Sequence, residues 1–152
     1  MIKWLILCSI EENCDVAINQ TVWGVKPRLK RVWDDVLRGD IAFFYVPKTI
    51  KRIIGVCRVK EKLDPQVYSP APLWHDEIEQ NRVVYSYRFK FNLIHVSDDP
   101  LIQGIDVKGL RLSLQQGISH IRDEKTIYEL HRRVKLKWNI DVPSPQAGSV
   151  KK

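Results

Sequence analysis

Apolar residues along this chain recur in two rhythms, one suited to strands and one to helices. Lys3 to Ser9 (KWLILCS) is an apolar run of strand length. Glu11 to Asn19 is polar and suits a short helix. Trp23-Gly24 reads as a corner on irregular backbone. Pro27 then fits a first helical turn, and Leu29, Val32, Trp33 and Val36 recur at helical spacing, with Arg38-Gly39-Asp40 as the stop. Ile41 to Val46 (IAFFYV) is aromatic and β-branched, which predicts a strand. After a basic turn from Pro47 to Arg52, Ile53 to Leu63 passes into alternation through Val56, Arg58, Val59 and Lys60, a second strand paired with the first as a hairpin.

Asp64 to Gln80 carries three prolines with Tyr68 and Trp74, and reads as a long loop of the kind that collects binding residues. Val83 to Val96 alternates: Tyr85, Tyr87, Phe89, Phe91 and Leu93 on one face, Arg88, Lys90 and Asn92 on the other, a long half-buried strand. Asp98 to Leu110 is a mixed connector, and Leu112 to Arg122 fits a short helix or a loop. Asp123 to Arg133 is helical, acidic in its first turn and basic in its last, as the helix dipole favours. Leu136 to Val142 reads as a final edge strand. Strands and helices do not alternate regularly. The pattern therefore predicts an α+β fold, a small, curved, mostly antiparallel β-barrel with helices packed around it. Residues 1–142 form one domain, and 143–152 a flexible tail or linker.

Composition narrows the partner. The chain has 152 residues, 44% hydrophobic and 28% charged, which suits one folded domain. No window approaches the roughly 18 uncharged apolar residues of a membrane span, and the N-terminal run meets acidic residues too soon for a signal peptide. The 25 Lys+Arg exceed the 18 Asp+Glu, for a net charge of +7, which favours an anionic partner such as nucleic acid. Cys8, Cys14 and Cys57 have neither a disulfide framework nor zinc spacing, so buried thiols in a reducing, cytoplasmic setting are expected. There is no phosphate-cradling glycine loop, dinucleotide fingerprint or nucleophile elbow, and His75, His95, His120 and His131 are scattered. No catalytic residue, metal or cofactor is expected, and the chain is read as a monomer.

What remains is aromatic residues beside basic ones. Trp23 precedes Lys26, Arg28, Lys30 and Arg31; Tyr45 precedes Lys48, Lys51 and Arg52; Tyr87 precedes Arg88. A base stacked on a ring, with its phosphates on Lys and Arg, needs this interleaving. The phosphate-binding candidates are Lys26, Arg28, Lys30, Lys48, Lys51, Arg52 and Arg88. Tyr87 on its alternating strand and Trp33 on its helical stripe suit a core. Trp23 and Trp74, on irregular backbone, are the better stacking candidates.

These segments fall in a familiar order: Trp4 on a first strand, then Ser9 and Asn13, VWGV at Val22–Val25, RGDIAFFYV at Arg38–Val46, IIGVCRVK at Ile53–Lys60 and YSYRFKF at Tyr85–Phe91. In this order, over about residues 2–133, the chain resembles the EVE domain family, part of the PUA-like superfamily and close in fold to YTH domains. The resemblance implies a PUA-like barrel whose wall pocket holds one nucleobase, often methylated and flipped out of its strand, in RNA or DNA; some prokaryotic members are fused to restriction GTPases. It implies Trp23 as one cage wall, Asn13 as the polar contact to the base edge, and Ser9 at the pocket floor with a backbone group on the base. Gly24 would let backbone approach the base closely. The second wall falls to Trp74, with Tyr68 or Leu73 as alternates. Ile10 stands where a second Asn is common.

The reading is thus a non-catalytic nucleic-acid-binding module, with a restriction or NTPase domain as a possible companion. Two alternatives stay open. One is a general PUA-like RNA binder without modified-base specificity; the other is a small nucleotide-acting hydrolase, for which no residue is marked.

Overall fold

The computed structural model describes residues 2–145. In chain order its elements are β1 (Trp4–Cys8), α1 (Glu11–Gln20), β2 (Val22–Val25), a 3-10 turn (Pro27–Leu29), α2 (Lys30–Asp35), β3 (Ile41–Val46), β4 (Arg52–Leu63), α3 (His75–Gln80), β5 (Tyr87–Val96), α4 (Pro100–Gln103), β6 (Ile105–Asp106), β7 (Gly117–Ile121) and α5 (Glu124–Trp138). The strands form one sheet in the order β2-β5-β4-β3-β1-β7, with β6 beside β4. Among the described residues, only β1 and β3 run parallel. The sheet curls until its two end strands, β2 and β7, approach each other without pairing. The result is an α+β half-barrel, as the strand-rich pattern predicts.

Both faces of the sheet centre are buried, and alternation sorts the side chains between them. Leu5, Leu7, Ala42, Phe44 and Val46 face the barrel interior with Trp23, Trp33, Trp74, Phe89 and Phe91. Trp4, Ile6, Cys8, Ile41, Phe43 and Tyr45 face outward and are covered by Ile127, Leu130, Val134 and Trp138 of α5. Two buried faces explain why β1 and β3 are unbroken apolar runs rather than alternating ones.

Several boundaries differ from the sequence pattern, each for a packing reason. Trp23-Gly24 is not a corner: Val22–Val25 pairs with β5, and all its residues are buried. The Asp64–Gln80 segment contains α3. Leu112–Arg122 supplies β7, whose pairing with β1 decides between options that a short apolar run leaves open. Leu136–Val142 forms no strand, because the stripe Ile127, Leu130, Val134, Trp138 carries α5 on until Asn139, at φ 57°, ends it. The expected inward face of β5 ends before Leu93, which is exposed; the β4–β5 register shifts on either side of it, at Lys60 of β4 and Ile94 of β5. The first helix after the 3-10 turn stops at Asp35, before Gly39, which instead takes φ 96° in a turn. Trp4 donates its indole N–H to the Pro143 carbonyl at 2.7 Å, so the chain stays on the barrel that far; residues 146–152 of the expected tail lie outside the described residues.

Two buried carboxylates fasten the loops. Asp40 accepts the backbone N–H groups of Lys3 (3.0 Å) and Leu37 (2.8 Å) and pairs with the Lys3 ammonium at 2.8 Å. Glu77, 0% exposed, is more heavily bonded. Its Oε1 accepts from the N–H of Leu73 (2.8 Å) and Trp74 (3.2 Å), and its Oε2 from those of Val84 (2.8 Å) and Tyr85 (2.9 Å). Arg88 donates to both oxygens, at 3.0 and 3.2 Å, and its Nε donates to the Tyr85 carbonyl at 2.9 Å.

Breaking a buried ion pair by removing one charge costs about 3–5 kcal/mol, because the other is left buried and unpaired. Glu77→Gln is therefore expected to lower stability by about that much in urea unfolding, with loss of order around Trp74 seen in its fluorescence. Asp40→Ala strands two backbone donors and is expected to cost about 2–4 kcal/mol, with the Trp74 signal unchanged in the folded state.

Candidate functional site

The barrel fails to close between β2 and β7, and a small pocket, half open to solvent and enclosing about 20 Å³, lies at that seam. The lining draws on four places in the chain: Cys8, Ser9 and Asn13 at the β1–α1 junction, Trp23 to Val25 on β2 with Lys26, Arg28 and Leu29 after it, Trp74 and Tyr85 on either side of Glu77's network, and Gln116-Gly117 at the start of β7.

Of the residues expected to touch a base, Ser9, Asn13, Trp23, Gly24 and Trp74 meet in this cavity. Their roles differ in detail. The Asn13 amide donates to Ser9 Oγ at 3.0 Å, and the Asn13 carbonyl accepts the Trp74 indole N–H at 3.0 Å. Ser9's backbone is already engaged: its N–H donates to the Tyr45 carbonyl at 3.3 Å, and its carbonyl accepts the Cys14 thiol at 3.6 Å. The Ser9 N–H is thus taken, and only the carbonyl's second lone pair remains for a ligand. Gly24 is required by the protein itself, since a Cβ there would sit 2.8 Å from Tyr85 Cβ and 3.0 Å from Trp74 Cη2.

The two tryptophans are unequal. Trp74 is 2% exposed, bonded through its N–H, edge-on to Tyr85 at 5.4 Å and covered on one face by the Arg88 guanidinium at 5.1 Å. Trp23 is 3% exposed and packs edge-on against Phe44 at 5.9 Å, yet its indole N–H is buried with no partner among the described residues. Buried donors without partners are rare and ask for an explanation. Both tryptophans sit on ordered elements or their caps, not on the irregular backbone expected.

Tyr68 and Leu73, the alternates for the second wall, do not line this cavity but a neighbouring cleft. Among the phosphate candidates, Lys26 and Arg28 stand at the cavity mouth. Lys30 is exposed on α2 but pairs with Asp34 at 3.0 Å. Lys48, Lys51 and Arg52 lie at the β3–β4 turn, and Arg52 lines a different depression with Arg133 and Lys137. Arg88 corrects the expectation most plainly: it is 2% exposed and neutralised by Glu77, so it is an internal strut and not part of a basic rim.

Tyr85, Gln116, Gly117 and Glu77 escape the sequence reading as site residues. Tyr85 carries a signal, being inward on its alternating stretch. Gly117 has φ 117° and Leu29 fills the space a Cβ would need, but that is visible only in the fold. Glu77, in a polar run with Asp76 and Glu79, has no sequence mark at all.

Burial pushes the Cys8 thiol up to about 11, and burial together with the bond to Asp76 (2.7 Å) raises the Tyr85 phenol. Both are protonated at neutral pH, which leaves Cys8 a poor nucleophile. No carboxylate or imidazole lines the cavity, and among the described residues no group of His, Cys, Asp and Glu converges as a metal site. Also among the described residues, no helix is long and apolar enough to cross a membrane.

No family model matches the chain. It is 29% identical over 117 residues to an uncharacterized protein of Methanocaldococcus jannaschii, a match covering 68% of this chain and 72% of that one. Among solved structures it is similar to the YTH domain-containing protein Mmi1 in complex with RNA, with a TM-score of 0.57 at 14% identity over 91% of this chain and 87% of that one. It is also similar to an ASCH protein of Zymomonas mobilis, with a TM-score of 0.53 at 16% identity over 84% of this chain and 94% of that one. Identities this low establish shape alone. The curled half-barrel, its strand order and its surrounding helices are those of the PUA-like fold, which YTH and ASCH domains share.

Proposed function

We propose that this chain is a non-catalytic nucleic-acid-binding module of the EVE type, which takes one unpaired and methylated base into the cavity beside Trp23. The observation that carries the reading is the Trp23 indole: it lines the cavity, and its N–H is buried without a partner, next to the Lys26 and Arg28 mouth. A ligand offering a flat face, an acceptor atom and a phosphate satisfies all three. RNA is favoured over DNA because Mmi1, with the same fold, is solved with RNA. Stacking on one ring contributes about 1–3 kcal/mol, and a fully buried methyl adds about 0.8 kcal/mol. Lys26 and Arg28 offset part of the cost of unstacking through phosphate contacts.

The runner-up, a general RNA binder without base selection, also has an observation behind it: Trp23 packs on Phe44 as a core residue does. The hydrolase reading has none, since the cavity offers no ionised nucleophile or carboxylate base.

Fluorescence anisotropy with labelled RNA and DNA, single- and double-stranded, plain or carrying N6-methyladenine or 5-methylcytosine, separates these readings at two salt concentrations. The proposal expects single-stranded RNA with one modified base to bind best at both. Trp23→Phe keeps a ring in the core but deletes the N–H, and is expected to weaken that binding about 2- to 10-fold with the fold intact by circular dichroism. Lys26→Gln and Arg28→Gln should each flatten the dependence of log affinity on log salt by about 0.7. Binding that ignores modification and disappears with salt would leave the general RNA binder.

A further inference from the structure

Tyr68 and Leu73 line a cleft of about 230 Å³, separate from the Trp23 cavity, together with Gln20, Pro72, Arg88 and Lys90. Tyr68 is 41% exposed, and among the described residues its ring has no aromatic neighbour and its hydroxyl no hydrogen bond. The backbone beneath the ring is ordered. The Asp64 carbonyl accepts the N–H groups of Val67 (3.0 Å) and Tyr68 (2.7 Å), and its carboxylate accepts that of Gln66 (2.9 Å), a turn that fixes the backbone beneath the ring. Lys90 is exposed and makes no ion pair among the described residues, although Glu61 stands opposite it across the β4–β5 register. No carboxylate lines the cleft.

The two openings share a thin wall. Trp74 lines one and Leu73 the other, consecutive residues about 3.8 Å apart at Cα. Arg88 lines the second cleft while its guanidinium lies over Trp74. The two openings thus lie on either side of the Leu73–Trp74 segment.

We infer that the cleft between Tyr68 and Lys90 is a second nucleotide subsite on the same strand. The flanking base stacks on Tyr68, the Gln20 amide meets its edge, and Lys90 takes a phosphate. This rests on the nucleic-acid-binding reading above. Every base has a π face, so the subsite adds affinity and a length requirement rather than a sequence preference.

The test is affinity against length, for single-stranded RNAs of increasing length that share the same modified base. Tyr68→Ala is expected to weaken the longer strands about 5- to 150-fold while leaving the shortest unchanged, with an unaltered melting temperature because the ring is exposed. Lys90→Gln should reduce the salt dependence for the longer strands only. If Tyr68→Ala binds every length as the intact protein does while Trp23→Phe weakens them all, the subsite is refuted and the base reader stands. Equal losses at every length also refute it, because Tyr68 would then act through the first cavity. If the intact protein binds no strand at all, both readings fall together.

Discussion

A buried carboxylate organises the cavity end of this molecule. Glu77 and Arg88 sit together in the barrel interior, where an unpaired charge is costly, so each is the other's partner. Four backbone N–H groups and one guanidinium converge on two oxygens. They bring Leu73-Trp74, α3, Val84-Tyr85 and β5 to one point. Trp74 and Tyr85 are thus held against Gly24, and the wall between the two clefts is set. The same network delays the start of β5 to Tyr87, because the N–H groups of Val84 and Tyr85 are spent on Glu77 rather than on a strand partner.

The second constraint is incomplete closure. A curled sheet whose end strands do not pair leaves a seam, and here the seam is the cavity. Glycines stand on both sides of it, Gly24 on β2 and Gly117 on β7, each where a side chain would strike a neighbour. The edges are short, four and five residues, and flanked by helices, which limits their exposure to other chains.

Local pattern was legible wherever one physical cause dominated. The apolar runs of β1 and β3, the hairpin into β4 and the dipole-matched charges of α5 follow from side-chain period and chemistry alone. Leu136–Val142 misled because a β-like composition was overruled by the stripe that packs α5 on the outer face of the sheet. Leu112–Arg122 stayed ambiguous because its strand exists only through pairing with β1. Ser9, Asn13, Trp23, Gly24 and Trp74, singled out by residue type and the EVE-like order of segments, line one pocket. Tyr68 and Arg88 were misplaced, since neither turn geometry nor an ion pair eleven residues apart leaves a mark in the pattern.

The class of the protein follows from residue order alone: an α+β fold with a curved sheet, basic overall, with aromatic and cationic residues interleaved and no catalytic motif. These are properties of period, composition and spacing, which need no third dimension. Tertiary structure alone decided which basic residues face solvent, that Trp74 is held by Arg88 while the Trp23 N–H is left without a partner, and that Tyr68 belongs to a separate cleft. Burial and pairing are relations between residues distant in the chain, and they appear only once the sheet has curled.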